Sequence, residues 1–195
     1  LEGYNLSALD DVRFLRFNRP LNRTPVLYDP GIVIVCQGRK RGYLGDEVYI
    51  YDAQHYLVVS VPVPFTMETD ATPDEPMLAV YLRLDFSLAA DLMLQLDELV
   101  GPAQARPRGM YSSPMDDKLS LTLLRFLEVM SEPIEAQLLG QTLLRELYYR
   151  IIAGEQGGSM RAALSRQGQF GKISKAIRKI HSSYSDPLNV EELAR

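Results

Sequence analysis

The sequence predicts an α+β chain, an N-terminal all-β part followed by helices. Three observations predict it. Residues 25–85 carry short β-branched or alternating runs, evenly punctuated by turn residues. From Ser87 onward the apolar period changes from two to the helical spacing. Finally, 195 residues with 46% hydrophobic and 24% charged side chains are enough chain, of ordinary globular composition, to bury a core without staples.

Taken in order, Ile32-Val33-Ile34-Val35-Cys36 reads as a strand ending at Gln37-Gly38. Tyr43-Leu44-Gly45-Asp46 then turns into Val48-Tyr49-Ile50-Tyr51, and Asp52-Ala53-Gln54-His55 leads into Tyr56-Leu57-Val58-Val59. Pro62, Pro64, Pro73 and Pro76 exclude a central helix from the next stretch. Leu78, Val80, Leu82 and Leu84 alternate with Ala79, Tyr81, Arg83 and Asp85, a strand with one apolar face. Strands of this kind close as a sandwich or barrel, over about residues 24–85. Leu88, Leu92, Leu96 and Leu99 predict a helix, and residues 101–114 a Gly/Pro-rich loop. Leu119, Leu123, Phe126, Leu127 and Met130 form one helical stripe; Pro133 breaks the chain; Leu139, Leu143, Leu147 and Ile151 form another, so a helical hairpin is expected. The division that follows is a first region over 1–155 with helices over about 86–153, a linker over 156–169 opened by small residues, and a second domain from 170.

Several function classes are excluded. No apolar run is long enough to span a membrane, and the single cysteine, Cys36, forms no internal disulfide. No leader pattern opens the sequence, so a cytoplasmic protein is expected. The strand setting of Cys36 predicts a buried thiol that packs as a small hydrophobe. A small β-barrel invites a cupin metalloenzyme reading, but His55 and His181 are the only histidines and lie far apart, so neither a metal nor another cofactor is expected. No phosphate-binding glycine motif is present. Asp46, Glu47, Asp52, Glu68, Asp70, Asp74 and Glu75 are scattered through turns and make no acid/base pair. The chain is not expected to be an enzyme.

Binding is the better expectation. Tyrosines crowd the strands, each with apolar area and one hydroxyl, as a small-molecule pocket requires; Tyr43, Tyr49, Tyr51, Tyr81 and His55 are the candidate ligand contacts. Charge is uneven: residues 1–158 hold 14 Lys and Arg against 22 Asp and Glu, whereas residues 159–185 hold six basic residues and no acid. There Lys172, Lys175, Arg178 and Lys179 alternate with the apolar helical positions Ile173, Ala176, Ile177 and Ile180, a cationic helix suited to lie near nucleic acid.

The segment from Ile173 through Tyr184-Ser185-Asp186-Pro187-Leu188 to Val190-Glu191-Glu192-Leu193-Ala194 resembles the first helix and the start of the helix-turn-helix of AraC/XylS-type bacterial transcription regulators. Pro187 ends the first helix and Asn189 caps the next. Upstream, Val35-Cys36-Gln37-Gly38-Arg39-Lys40, Leu44-Gly45-Asp46, Tyr49-Ile50-Tyr51-Asp52, residues 56–64 and Ala71-Thr72-Pro73-Asp74-Glu75-Pro76 resemble the cupin-like N-terminal domain of one AraC-type subgroup. The resemblance implies a cupin-like barrel (a double-stranded β-helix) that senses an unknown small-molecule effector. It further implies a helical hairpin that forms a homodimer, and a DNA-binding domain acting on promoters. For the dimer, Leu119, Leu123, Phe126, Leu127, Leu139, Leu143, Leu147 and Ile151 are candidates for either core or interface. Major-groove readout needs a recognition helix, which the matched segment does not reach, so specific DNA reading is not expected of these residues; the basic helix offers backbone contacts alone. A ligand-independent dimerisation scaffold remains the alternative to a sensor.

Overall fold

β-Branched residues set the centre of the sheet. In a computed structural model that describes residues 1–165, the strand Gly31–Gln37 (β4) is buried on both faces from Gly31 to Val35. Around it run Gly3–Leu6 (β1), Val12–Phe17 (β2), Leu21–Tyr28 (β3), Arg39–Leu44 (β5), Glu47–Asp52 (β6), His55–Val59 (β7), Val63–Asp70 (β8) and Met77–Arg83 (β9). All pair antiparallel in the order β1-β2-β9-β4-β7-β6-β5-β8-β3, and Met110–Pro114 (β10) adds to β7. Gly45, at φ 60°, supplies the left-handed residue that turns β5 into β6.

The sheet curls. Leu15 of β2 and Val33 and Val35 of β4 share an inner cluster with Phe65 and Met67 of β8, strands far apart in the pairing order. Its two ends, β1 and β3, are not paired with each other, so it is a half-barrel with an open seam. The outer face, carrying Val12, Ile32, Ile34, Val58, Val80 and Leu82, is covered by the helices Phe86–Val100 (α1), Asp117–Ser131 (α2) and Pro133–Ala153 (α3). Asp85 caps α1 by accepting from the Ser87 and Leu88 amides, Asp116 caps α2 through the Leu119 amide, and Pro133 opens α3 where its missing N–H costs nothing. Gly157–Ser165 (α4) then docks Met160, Ala162 and Ala163 into the domain, with Arg161 hydrogen-bonded to Asp97 and the Gly101 carbonyl of α1's end.

The antiparallel strands followed by a helical hairpin agree with the sequence. Four particulars differ. The sheet begins at Gly3 rather than near residue 24, because β1 and β2 lack clean alternation. The expected loop over 101–114 contains β10, whose Ser-rich sequence hides a strand that forms against β7, from Met110↔Val59 to Pro114↔His55. The glycines read as a linker begin α4. Cys36 is exposed, because the β4–β9 register slips between Val35 and Gln37 and turns this residue out of the core. The basic residues Lys172, Lys175, Arg178 and Lys179, and the rest of the expected DNA-binding start, lie outside the described residues.

One side chain ties the two layers together. Tyr148 of α3, fully buried, donates its hydroxyl to the Arg83 carbonyl at 2.7 Å and accepts from the Asp85 amide at 2.8 Å, where β9 passes into α1. Tyr148→Phe leaves both backbone groups unmatched and is expected to lower unfolding stability by about 1–3 kcal/mol, read by urea denaturation with an unchanged native far-UV spectrum.

Candidate functional site

The open seam forms a cleft of about 190 Å³, lined by Tyr4 of β1, Leu15 of β2, Leu27 and Tyr28 of β3, Asp29, Val33 of β4 and Tyr81 of β9. Period-two alternation aims Tyr81 inward, since its neighbours Val80 and Leu82 face the helices. Gly31 makes the space, for a Cβ there would run into the Tyr81 ring. Tyr28 stands edge-on to Phe65 at 4.9 Å, and Tyr4 edge-on to Phe17 at 6.3 Å. Desolvation, followed by the nearby Asp29 carboxylate, pushes the Tyr81 phenol up to about 12; desolvation raises Tyr28 further. Both stay neutral hydroxyls at physiological pH. The cleft thus offers flat apolar walls with a few polar groups, the make-up of a small-molecule site.

Deeper along the same inner face lies Lys40 of β5, with a side chain 1% exposed and an ammonium that has no hydrogen-bond partner. It sits 5.2 Å from the centre of the Phe17 ring, and burial pulls its pKa from 10.5 down to about 8. Its cross-strand neighbour Tyr51 is fully buried, its hydroxyl facing that of Tyr28 without a close hydrogen bond. The Tyr28 hydroxyl points instead to the Met67 sulfur at 3.8 Å. Among the described residues no cluster of His, Cys, Asp and Glu could hold a metal ion, and no helix is long and apolar enough to cross a membrane.

Over residues 8–159 the sequence matches the family described as the AraC-type transcriptional regulator N-terminus. The chain belongs to this family. Among solved structures it is similar to ToxT from Vibrio cholerae strain SCE256, with unsaturated fatty acid bound, at 10% identity and a TM-score of 0.55, covering 99% of this chain and 69% of ToxT. It is also similar to ToxT from Vibrio cholerae O395 bound to (E)-4-(8-methylnaphthalen-1-yl)but-3-enoic acid, at 8% identity and a TM-score of 0.56, over 93% of this chain and 68% of that one. At such identities the likeness speaks to the fold alone. No curated protein matches the sequence.

Within this AraC-type domain the sequence-predicted tyrosines fall in different places. Tyr81 lines the cleft, and Tyr51 faces the same interior. Tyr49 packs at the edge of that interior with its hydroxyl on Glu47. Tyr43 alternates to the outer surface, where its hydroxyl donates to Glu68 at 2.7 Å and Arg23 stacks on its ring. His55 lies at the β6–β7 turn, with Nδ1 3.1 Å from Asp52, away from the cleft. Sequence reasoning missed Tyr4, Tyr28, Asp29, Gly31 and Lys40. Of these Lys40 was within reach, because the register that points Tyr51 inward also points Lys40 inward. On the helices, Leu119, Leu123, Phe126, Leu143, Leu147 and Ile151 are buried in the domain's own core and Leu127 packs against it, whereas Leu139 is exposed. The stripe covers the sheet. The outward leucines of α2 and α3 are Leu121, Leu124, Leu138 and Leu139.

Lys40 has a measurable cost. Burial disfavours its charged form, so the folded state is penalised fully below about pH 8 and is relieved as pH rises toward 10.5. Lys40→Met should therefore be more stable than the parent at pH 7, by up to about 3 kcal/mol, with the gain shrinking above pH 8. Denaturant titrations at several pH values check both the sign and the trend; a less stable Lys40→Met would contradict them.

Proposed function

We propose that this chain is the effector-sensing and dimerisation region of a cytoplasmic, non-enzymatic AraC-type regulator. Its curled sheet serves as the cupin-like, double-stranded β-helical sensor, and a helix-turn-helix domain beginning near residue 170 acts on promoter DNA. The observation that carries the reading is the cleft at the seam, because its walls come from β1, β2, β9 and β4 at one end of the sheet and from β3 at the other. A ligand filling it joins the two ends of the sheet and stabilises one arrangement of them, which is the differential affinity that regulation requires. Two acids bound to ToxT, a fatty acid and an aryl butenoic acid, support an effector with an apolar body. Lys172, Lys175, Arg178 and Lys179 would add sequence-independent phosphate contacts.

For the homodimer we assign the outward face of α2 and α3, on which Leu121, Leu124, Leu139 and Tyr149 are exposed. Leu124→Glu is expected to give a folded monomer by light scattering. Leu123→Glu, which places a charge in the core, should lose the native fold.

Ligand binding is tested by thermal shift of the full chain against a metabolite library. A ligand at 100 times its dissociation constant stabilises by about 2.7 kcal/mol, and Tyr81→Ala should abolish that shift. A folded dimer that responds to nothing would favour the ligand-independent scaffold.

A further inference from the structure

We infer that Lys40 is the head-group site of the effector cavity and takes the carboxylate of an amphipathic organic acid whose apolar body lies against Tyr4, Tyr28 and Tyr81. This rests on the sensing reading above and names the chemical class of its ligand. Buried charges in proteins are paired almost without exception, because desolvation of a lone ion is costly. Lys40 has no such pair. Its cross-strand neighbours are Tyr51 on β6 and Thr69 on β8, and the ring facing it is Phe17 on β2.

Every carboxylate on these strands is turned elsewhere. Glu68 and Asp70 of β8 alternate to the outer surface, where Arg41 lies 3.6 Å from Glu68 and 2.5 Å from Asp70, with Arg23 also on Glu68. Asp52 of β6 is held on that surface by Arg39 at 3.5 Å and by His55. Glu47, at the exposed start of β6, is bonded to the Tyr49 hydroxyl. The other titratable groups of the interior are the phenols of Tyr4, Tyr28, Tyr49, Tyr51 and Tyr81, all raised by burial and therefore uncharged at neutral pH, and the one carboxylate lining the cleft, Asp29, stands exposed to solvent beside Tyr81. At pH 7 an amine of pKa about 8 is mostly ammonium, so Lys40 carries a buried positive charge with neither hydrogen-bond nor ion-pair partner.

The geometry also gives a route. Tyr4 is both a wall of the cleft and the edge partner of Phe17, and Phe17 in turn lies beneath the Lys40 ammonium. One half-buried ring therefore stands between cleft and cation. The Tyr51 hydroxyl beside Lys40, engaged only by the neighbouring Tyr28 hydroxyl, provides a donor for the second carboxylate oxygen. An acid entering at the seam would displace the Phe17 ring from the ammonium and replace a weak cation–π contact with a charge-assisted hydrogen bond.

The test is calorimetric titration of the full chain with 4-phenylbutanoate and straight-chain monocarboxylates from hexanoate to dodecanoate, each beside its uncharged methyl ester. The expected result is a preference for acid over ester of at least about tenfold. Lys40→Met should abolish that preference by weakening acid binding far more than ester binding, and Lys40→Arg should keep part of it. The acid, but not the ester, should bind more weakly as pH rises from 7 past 9, as the amine loses its proton. If Lys40→Met keeps the full preference, or the parent binds ester and acid alike, the head-group assignment is wrong while the sensing cleft stands. If neither acid nor ester binds the parent, this assignment falls, and a response to other classes in the metabolite screen decides separately whether sensing falls with it.

Discussion

Burial of both faces of one strand governs this architecture. Ile32 and Ile34 of β4 point to the helices, Val33 and Val35 to the inner face, and each is 2% exposed or less. A sheet that is apolar on both sides needs two covers. The helices supply one, with Phe126, Leu147 and Ile151 at their centre. No second helical layer is present among the described residues, so the inner face is covered by the sheet itself, curling until β2 and β8 share one cluster. Because β1 and β3 do not pair, the curl ends in a seam, and the cleft is its geometric consequence.

The inner face is also where the chain departs from what stability alone would select. An amine, a phenol and a cleft occupy space that aliphatic side chains would fill at lower cost. In the outer layer Tyr148, at the sheet–helix joint, is fully satisfied by backbone groups, while the Tyr111 hydroxyl is buried there without a partner. The cleft and the buried amine set the inner half of the domain apart as the half available to a ligand.

Strands and helices with strong periodicity were legible in the sequence. β4, β6, β7 and β9 carry β-branched runs or clean alternation, and α1 to α3 carry leucine stripes, Asp caps or a proline start. Elements that form through their neighbours were not legible. β10 exists because β7 has an edge to pair, and α4 because Met160 and Arg161 find sites on the preceding helices. The binding site was half legible for a related reason. Tyrosine content located a wet, aromatic interior, but alternation alone does not say which face of β5 turns inward; register does, and it sends Tyr43 out and Lys40 in. Tyr4 and Tyr28 belong to opposite ends of the sheet, and only the curl brings them to one cleft. The hairpin leucines illustrate the converse, since a helical stripe marks a buried face and leaves open whether sheet or partner buries it.

The central claim is that the seam of the curled sheet receives a small molecule. Its most direct measurement is the change in backbone amide NMR shifts of the full chain on titration with 4-phenylbutanoate. The account predicts saturable changes concentrated at Tyr4, Leu15, Tyr28, Val33 and Tyr81, extending inward to Phe17 and Lys40. Saturable changes centred instead on the exposed faces of α2 and α3, with the seam residues unmoved, would contradict it.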